Sequence, residues 1–486
     1  MPHKSSALDR QPLILCGFFA VLYSAILLYK FYALGYYDWD LAFFTQACYQ
    51  LIHGSQFVSL VGFNYFGDHS YLITFLYLPI FYIFQSPLTL IFIKLSALLI
   101  AGYLLYCYTK DVLNKEAALL VLFMYFLFPA NIFGLIYEFN PEAMAPPLIL
   151  LIFLSLKNRD YQFFILWSAM LMMIKENMCL VVFIFALYAA FKTTHKEKGP
   201  LMWYAISCLG LFLYLSIAFV PHLRNLDHHS FVVRYAKFGS NTWEIILSPV
   251  LKPALVFAKL WTKQNGVYLL HLFNVLLVPA LLSPAALIPA IPLLVQHCLS
   301  SHYPEHTIFY HYGPTIVPFI FIAGVHYLRR WHKPAQLKLI LTCTVIILFF
   351  TLKVYLPDFM SRWNIAKMAT AQGRWQMVDE IPAHEPVLAS FEFLAPLSLR
   401  HELYSFHMIY EDTFQDPNLL KNSELNVGKV FQLPSNVRYA LINLKDPWFI
   451  EDQRREGRGV LIKRVALYLK DFKIIKRKGS IVLLGR

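Results

Sequence analysis

Charged side chains are scarce in this sequence. Only 15% of its 486 residues are Asp, Glu, Lys or Arg, whereas 58% are hydrophobic, and the mean hydropathy is +0.52. These values lie outside the usual range of soluble globular domains. Apolar stretches long enough to cross a hydrocarbon core of about 30 Å recur from residue 12 to residue 355. The sequence therefore predicts an α-helical integral membrane protein.

Several motifs with a fixed spacing are also missing. The sequence has no P-loop, no GxGxxG and no CxxC. Its seven cysteines lie in or beside apolar segments, at positions 16, 48, 107, 179, 208, 298 and 343. This distribution favours packing roles over a zinc site or a disulfide framework. The sequence requires no cofactor and predicts no metal ligands, although the number of carboxylates leaves a divalent cation open.

The basic residues indicate how the chain is oriented. The net charge is +13, but Lys and Arg lie largely in short loops between apolar stretches, which is the positive-inside pattern. No nucleic-acid partner is therefore expected. Lys4 and Arg10 precede the first apolar stretch, which is too long for a signal-peptide core and lacks a cleavage site. We expect a multi-pass protein of the cell (inner) membrane with a cytoplasmic N-terminus.

About eleven spans are predicted within residues 1–355, followed by a soluble extracytoplasmic α/β domain at 356–486. In the latter, strands are predicted at 386–390, 437–443, 472–477 and 480–484, with a helix at 459–470. This domain either helps to select the acceptor or acts as a structural lid.

The segment 160–192 tests this topology, because about 32 residues are too many for one straight crossing. Its middle carries Lys175, Glu176 and Asn177. If the chain turns back at this triplet, the basic loops at both ends lie inside. The two short spans of roughly 20 Å would then meet below the outer surface, which is tolerated where the turn lines a water-filled cavity. One predicted external loop, 221–265, is an exception to the positive-inside rule because it carries six basic residues.

Polar residues concentrate on the predicted outer side, and ionisable groups at membrane depth are functional candidates. This set comprises Asp38, Asp40, Gln46, Asp68, His69, Glu138, Asn140, Glu142, Lys175, Glu176, His302, His306 and His311. Structural explanations stay open for several of them. Asp40 opens an amphipathic segment and could serve only as its N-cap. On a helix, Asp38 and Asp40 would point to nearly opposite faces, so at most one is expected to react.

The remaining candidates have structural alternatives too. Asp68 precedes an apolar run and could cap it, while Glu138 and Glu142 could be solvated at the start of a short span. Lys175 and Glu176 could form a structural pair. The argument for function is that these residues converge on one side, whereas a random scatter would populate both ends of the spans.

Several stretches carry a resemblance that covers nearly the whole chain. They are DLAFFTQACYQLIHG (40–54), FGDHS (66–70), QSPLTL (85–90), NPEA (140–143), KEN (175–177), SHYPEH (301–306), HYGP (311–314) and VLASFEFLAPLSLR (387–400). Together they resemble an uncharacterised family of predicted prokaryotic membrane proteins within the GT-C superfamily of integral-membrane glycosyltransferases. Where that family has H-P-E, this chain has Asn140-Pro141-Glu142. The order of elements is also similar to that of aminoarabinose transferases and protein mannosyltransferases.

The resemblance implies a GT-C-like fold and transfer of a hexosyl or pentosyl group from a polyprenyl-phosphate donor to a lipid, glycan or protein acceptor. In similar enzymes the first-loop aspartate acts on the acceptor. Judged by its spacing to Gly54, Asp40 matches the family's acidic residue better than Asp38, so Asp40 is the predicted base of an inverting transfer and Asp38 the second candidate.

The leaving phosphate would need cationic or hydrogen-bonding partners near the base. The substrate-binding candidates are Asp68, His69, Glu138, Glu142, Lys175, Glu176, Arg224, Arg234, Lys237, His306 and His311. Two other functions stay open. One is a transporter or flippase of a lipid-linked or anionic solute, although no internal repeat is found. The other is a non-catalytic protein that binds lipid phosphate.

Overall fold

The structure is a computed structural model that describes residues 9–193, 195–227, 229–330, 334–363, 368–411 and 431–486. Lys4, used above for the orientation, lies outside these residues. Most of the chain is helical. The α-helices are α1 (Arg10–Tyr32), α2 (Asp40–Ile52), α3 (Thr74–Ile83), α4 (Pro87–Val112), α5 (Lys115–Phe126), α6 (Pro129–Ile136), α7 (Ala145–Asn158), α8 (Tyr161–Met172), α9 (Met178–Lys192), α10 (His195–Tyr214), α11 (Val220–Arg224), α12 (Thr242–Leu251), α13 (Pro253–Leu260), α14 (Lys263–Phe273), α15 (Leu277–Leu281), α16 (Ile291–Leu299), α17 (Val317–Leu328), α18 (Pro334–Trp363), α19 (Met368–Asp379), α20 (Phe391–Leu394), α21 (His407–Glu411), α22 (Pro447–Asp452) and α23 (Arg458–Tyr468).

Local sequence signals explain where several of these helices begin. Ser86 caps α4 by accepting a hydrogen bond from Leu88 N, and Pro87 occupies the first helical position, where no N–H is needed. Asn114 caps α5 through Ala117 N, at 2.8 Å. The break between α4 and α5 therefore follows from a polar cap between two apolar runs.

Among the residues that the structure describes, five segments are long and apolar enough to span a membrane. They are Arg10–Tyr32, Pro87–Val112, Lys196–Arg224, Lys263–Leu281 and Ala335–Arg362. The pair α5 and α6, bent by 44°, would count as a sixth. Six further apolar helices are shorter than 18 residues. The number of eleven spans therefore stays a prediction.

The predicted interruption at Lys175–Asn177 is confirmed, because α8 ends at Met172 and α9 begins at Met178. Residues 173–177 form a non-helical segment whose central side chains are buried. The side of the membrane on which this turn lies stays a prediction.

The C-terminal part forms a mixed five-stranded sheet. Its strands are β3 (Val387–Ala389), β4 (Leu403–Ser405), β5 (Tyr439–Asn443), β6 (Lys473–Lys478) and β7 (Ile481–Gly485), after a short hairpin of β1 (Phe57–Val58) and β2 (Phe63–Asn64). The order is β4-β3-β5-β7-β6, with β3 parallel to β4 and β5 and the other pairs antiparallel. All four strands predicted here and the helix predicted at 459–470 are confirmed. The three-residue strand β4 was not predicted.

One buried apolar cluster runs from the helices into this sheet. Leu27 of α1, Leu105 of α4, Phe393 of α20 and Leu441 of β5 all belong to it. The C-terminal part also contacts the residue before α2, because the ring of His407, at the start of α21, lies 5.4 Å from the ring of Trp39. The proposed domain boundary at 355/356 falls within α18 and stays a prediction.

Candidate active site

A cavity of about 190 Å³ lies between the helical part and the C-terminal sheet. It collects side chains from segments that are hundreds of residues apart in the chain. The predicted site residues that line it are Asp38, Asp40, Asp68, His69, Lys175, Arg224, Arg234 and His311. Eight of the thirteen candidate site residues, which are the two candidate bases and the eleven substrate-binding candidates, therefore line one cavity. Whether they lie on the outer side of the membrane stays a prediction.

Both candidate bases face the same tyrosine. The Tyr137 hydroxyl lies 2.8 Å from Asp38 Oδ2 and 3.3 Å from Asp40 Oδ2. The expectation that the two aspartates point to opposite faces is wrong, because Asp38 precedes α2 instead of lying within it. His311 Nδ1 is 3.7 Å from Asp40 Oδ2, too far for a hydrogen bond, and this buried nitrogen bonds to none of the described residues.

Glu138 fixes the start of α2. Its two carboxylate oxygens accept hydrogen bonds from Asp38 N and Leu41 N, each at 2.7 Å. A carboxylate at this position also interacts favourably with the helix dipole. The N-cap of α2 is Trp39, and the Asp40 side chain makes no capping bond. The alternative that Asp40 serves only as a cap is therefore wrong, and its carboxylate is available for chemistry.

Two buried lysines hold the segment that carries Tyr137. Lys94 Nζ donates to Tyr137 O at 2.6 Å and to Glu138 O at 3.2 Å, while Lys30 Nζ donates to Ile136 O at 2.6 Å. These bonds satisfy carbonyls at the end of α6 that have no helical partner. Gly134 packs against Pro314, whose Cγ would lie 2.2 Å from an added Cβ.

Three cations lie along another part of the wall, and each pairs with a carboxylate. Lys175 Nζ is 2.8 Å from Glu142 Oε1, with both side chains buried. Arg234 Nη1 is 2.6 Å from Glu305 Oε1. The alternatives that Lys175 pairs with Glu176 and that Glu142 is a solvated surface residue are therefore wrong.

Arg224 makes the third pair, with Asp68, at an N···O distance of 3.7 Å, and donates to Ser230 Oγ at 2.7 Å. Asp68 is not the N-cap of α3, which is Ile73. The Nε–H groups of Arg224 and Arg234 are buried and have no partner among the residues that the structure describes.

A histidine pair flanks Glu176 behind this wall. Glu176 Oε1 lies 2.6 Å from His69 Nδ1 and 3.3 Å from His229 Nε2. The three ligand atoms lie within 4.8 Å of one another, and all three residues are buried. His, His and Glu form a ligand set that suits a divalent metal. These residues therefore could hold the cation that the sequence leaves open.

Burial dominates the electrostatics at the base. It raises the pKa of Asp40 well above the usual range, and the neighbouring carboxylates of Asp38, Glu138 and Asp68 raise it further. Burial, followed by the positive charges of Lys175 and Arg234, holds the pKa of His311 well below its usual value. His311 is consequently neutral near pH 7 and forms no ion pair with Asp40.

Five predicted site residues do not line the cavity. Three of them, Glu138, Glu142 and Glu176, bond to residues that do line it, as described above. The other two are Lys237 and His306. Lys237 is exposed and is absent from the lining. His306 is buried, and its two ring nitrogens bond to Asn265 Oδ1 at 2.9 Å and Ser300 O at 2.7 Å. Conversely, Tyr137, His229, His407 and Trp448 were not singled out from the sequence, which carries no local signal for such distant contacts.

The fold is similar to that of ArnT from Cupriavidus metallidurans bound to undecaprenyl phosphate. The TM-score is 0.50 at 11% identity, over 96% of this chain and 97% of that chain. Apo ArnT from the same organism gives 0.48 at 12% identity, over 96% and 97%. The Archaeoglobus fulgidus oligosaccharyltransferase complex with Zn and sulfate gives 0.39 at 11% identity, over 93% and 71%. The likeness to ArnT bound to undecaprenyl phosphate is the one that supports the GT-C membrane fold for this chain, and an identity of 11% bears on the fold alone.

The sequence itself identifies the family. No curated protein matches it. Residues 30–428, which make up most of the chain, match the family described as predicted membrane protein (DUF2079). The protein therefore belongs to the DUF2079 family of predicted membrane proteins.

Proposed function

We propose that the protein is a membrane glycosyltransferase that moves a sugar from a polyprenyl-phosphate donor to an acceptor on the extracytoplasmic face, with inversion. The observation that carries this proposal is the cavity in which a partly buried carboxylate, Asp40, faces Tyr137 and shares the lining with Arg224 and Arg234. A single displacement at an anomeric carbon requires a base for the acceptor hydroxyl. It also requires hydrogen-bond donors that stabilise the negative charge developing on the leaving phosphate.

Asp40 acts on the acceptor. As the acceptor oxygen forms its bond to the anomeric carbon, its proton passes to the Asp40 carboxylate. The bond between that carbon and the phosphate oxygen breaks at the same time, and polyprenyl phosphate leaves with the electron pair. Tyr137 holds the Asp40 carboxylate in place through its hydroxyl, which it shares with Asp38.

The arginines act on the leaving group. Each cation of the wall is neutralised by its own carboxylate, so the phosphate meets specific donors instead of a free positive charge. The buried Nε–H groups of Arg224 and Arg234 are the donors that no described residue uses. We assign them to the phosphate oxygens, because a charge-assisted N–H bond to an oxyanion is a strong hydrogen bond.

The charge pattern of the sequence supports the membrane orientation in this proposal. Residues 36–70, which include Asp38, Asp40 and the β1–β2 hairpin, contain no Lys or Arg, as expected of an extracytoplasmic loop. The cavity would then open near the outer interface, where the headgroup of a lipid-linked donor lies.

The test is an assay of the purified protein in lipid vesicles against a panel of polyprenyl-phosphate sugars, with release of polyprenyl phosphate as the readout. Arg224→Lys and Arg234→Lys keep the charge but remove the Nε–H donor, so each should raise the donor KM about tenfold or more. Lys237→Gln is the matched control and should leave the donor KM unchanged, since Lys237 is exposed. Solute flux across the vesicles with every donor left intact would favour the transporter instead.

A further inference from the structure

The C-terminal region contributes an aromatic wall to the cavity that the proposed chemistry does not use. This wall consists of Phe391, His407 and Trp448, and it meets Trp39, the residue before Asp40. Phe391 stacks on His407 with ring centroids 5.3 Å apart and an interplanar angle of 12°. Trp39 meets His407 edge-on at 5.4 Å, and Trp448 lies 6.1 Å from Phe391. The rings thus form one continuous surface beside the base.

One polar atom in this wall lacks a partner. His407 is 1% exposed, and its Nδ1 lies 2.7 Å from Ser405 Oγ. Its Nε2 is buried and makes no hydrogen bond within the described part of the chain. Burial lowers the pKa of His407 to about 3, so the ring is neutral near pH 7. A buried nitrogen without a partner normally costs free energy, and a ligand hydroxyl would satisfy it in either tautomer.

We propose that the aromatic wall binds a pyranose ring of the acceptor, an inference that rests on the proposed function. One face of a pyranose is lined with C–H groups and packs against aromatic rings, while its hydroxyls reach outward to polar atoms. Trp448 and Phe391 offer the faces, and His407 Nε2 offers the hydrogen bond. The acceptor is accordingly a glycan or glycolipid.

The wall fits the acceptor better than the donor sugar. In a single displacement the nucleophile and the leaving phosphate lie on opposite sides of the anomeric carbon. The phosphate donors Arg224 and Arg234 make no ring contact or hydrogen bond with the aromatic wall among the described residues, whereas Trp39 connects that wall directly to Asp40. A second cavity of about 280 Å³ is lined by Trp448, Asp38 and Tyr137 as well, and it extends the site on that side.

Saturation-transfer NMR on the protein in nanodiscs tests this proposal without needing turnover. The probes are methyl β-D-glucopyranoside, methyl β-D-galactopyranoside and methyl α-D-mannopyranoside. At least one should receive saturation at its ring protons, and Trp448→Ala should weaken its Kd about tenfold. Trp448 is 42% exposed, so truncation is compatible with folding, and Trp448→Phe should retain part of the affinity. Trp203→Ala, at a 72% exposed position on α10, is the matched control and should change nothing.

Competition separates the acceptor from the donor. Undecaprenyl phosphate and the donor found in the transfer assay should leave the glycoside signal in place. If that donor abolishes the signal, the wall holds the donor sugar and the inference is overturned, although the proposed function survives. The inference is overturned too if no glycoside receives saturation, or if Trp448→Ala and Trp203→Ala bind alike. Failure of the donor panel with an intact glycoside signal would refute the proposed function instead.

Discussion

Replacing Glu142 by Gln should destabilise the protein strongly, because it leaves the Lys175 ammonium buried without a counter-charge. The two side chains are only 6% and 4% exposed, and their charged atoms are 2.8 Å apart. At that separation the attraction is about 6 kcal/mol for an effective dielectric constant of 20. Removing one partner of a buried pair typically costs about 3–5 kcal/mol. We expect Glu142→Gln and Lys175→Met each to fall in this range.

Removing both charges should restore most of the loss. A double variant, Lys175→Met with Glu142→Leu, replaces the pair by apolar groups, a change that is often neutral or stabilising. Denaturant unfolding in detergent measures all three variants. The matched control is Asp111→Asn, which breaks the pair with Lys157, where Asp111 is 58% exposed and the loss should stay below about 1 kcal/mol. A Glu142→Gln loss no greater than that of Asp111→Asn would refute the reasoning.

Three further predictions concern the pKa of the base, the packing of Gly134 and the membrane orientation. Because burial and the Asp38 carboxylate raise the pKa of Asp40, and the base must be ionised, kcat should fall as pH drops through a value above the ordinary carboxyl range of about 4. Asp38→Asn should shift this acidic limb of the pH–rate profile to lower pH. An unchanged limb would contradict the claim that the Asp38 charge raises the pKa of Asp40. Gly134→Ala places a Cβ 2.2 Å from Pro314 Cγ, so unfolding should show a loss of about 1–3 kcal/mol. Finally, an impermeant thiol reagent should label Gln56→Cys, in a background without native cysteines, from outside intact cells; labelling from the cytoplasm alone would invert the orientation.

Local sequence patterns predicted the structure correctly where interactions between neighbouring residues determine it. The strands β5 and β7 were predicted because apolar runs rich in branched residues end at polar breaks. The break around Lys175 followed from span length and charge alone. Asp40 was singled out by its place after the first span, and it does line the cavity.

Long-range partners could not be predicted in the same way. Tyr137 lies 97 residues after Asp40 in the chain, and the Glu142–Lys175 pair joins positions 33 residues apart. A single sequence has no periodicity that links such positions. For this reason the carboxylate partners of the cations were not predicted. The comparison of Asp38 with Asp40 also assumed helical geometry for both residues, whereas α2 begins at Asp40. His407 and Trp448 were missed because they lie on α21 and α22, short helices of the C-terminal part that reach a cavity lined by residues far away in the chain.

The rate of sugar transfer by Asp40→Asn is the measurement that tests the central claim. Asn keeps the size of Asp40, and no capping bond is lost because the Asp40 carboxylate caps nothing. Turnover should fall by a factor on the order of 10² or more while donor affinity and stability hold, and Asp38→Asn should cost much less at its pH optimum. Near-normal turnover by Asp40→Asn would contradict the account. If Asp38→Asn were then inactive, the base would be Asp38. If Asp38→Asn were active as well, base catalysis by either carboxylate would be excluded.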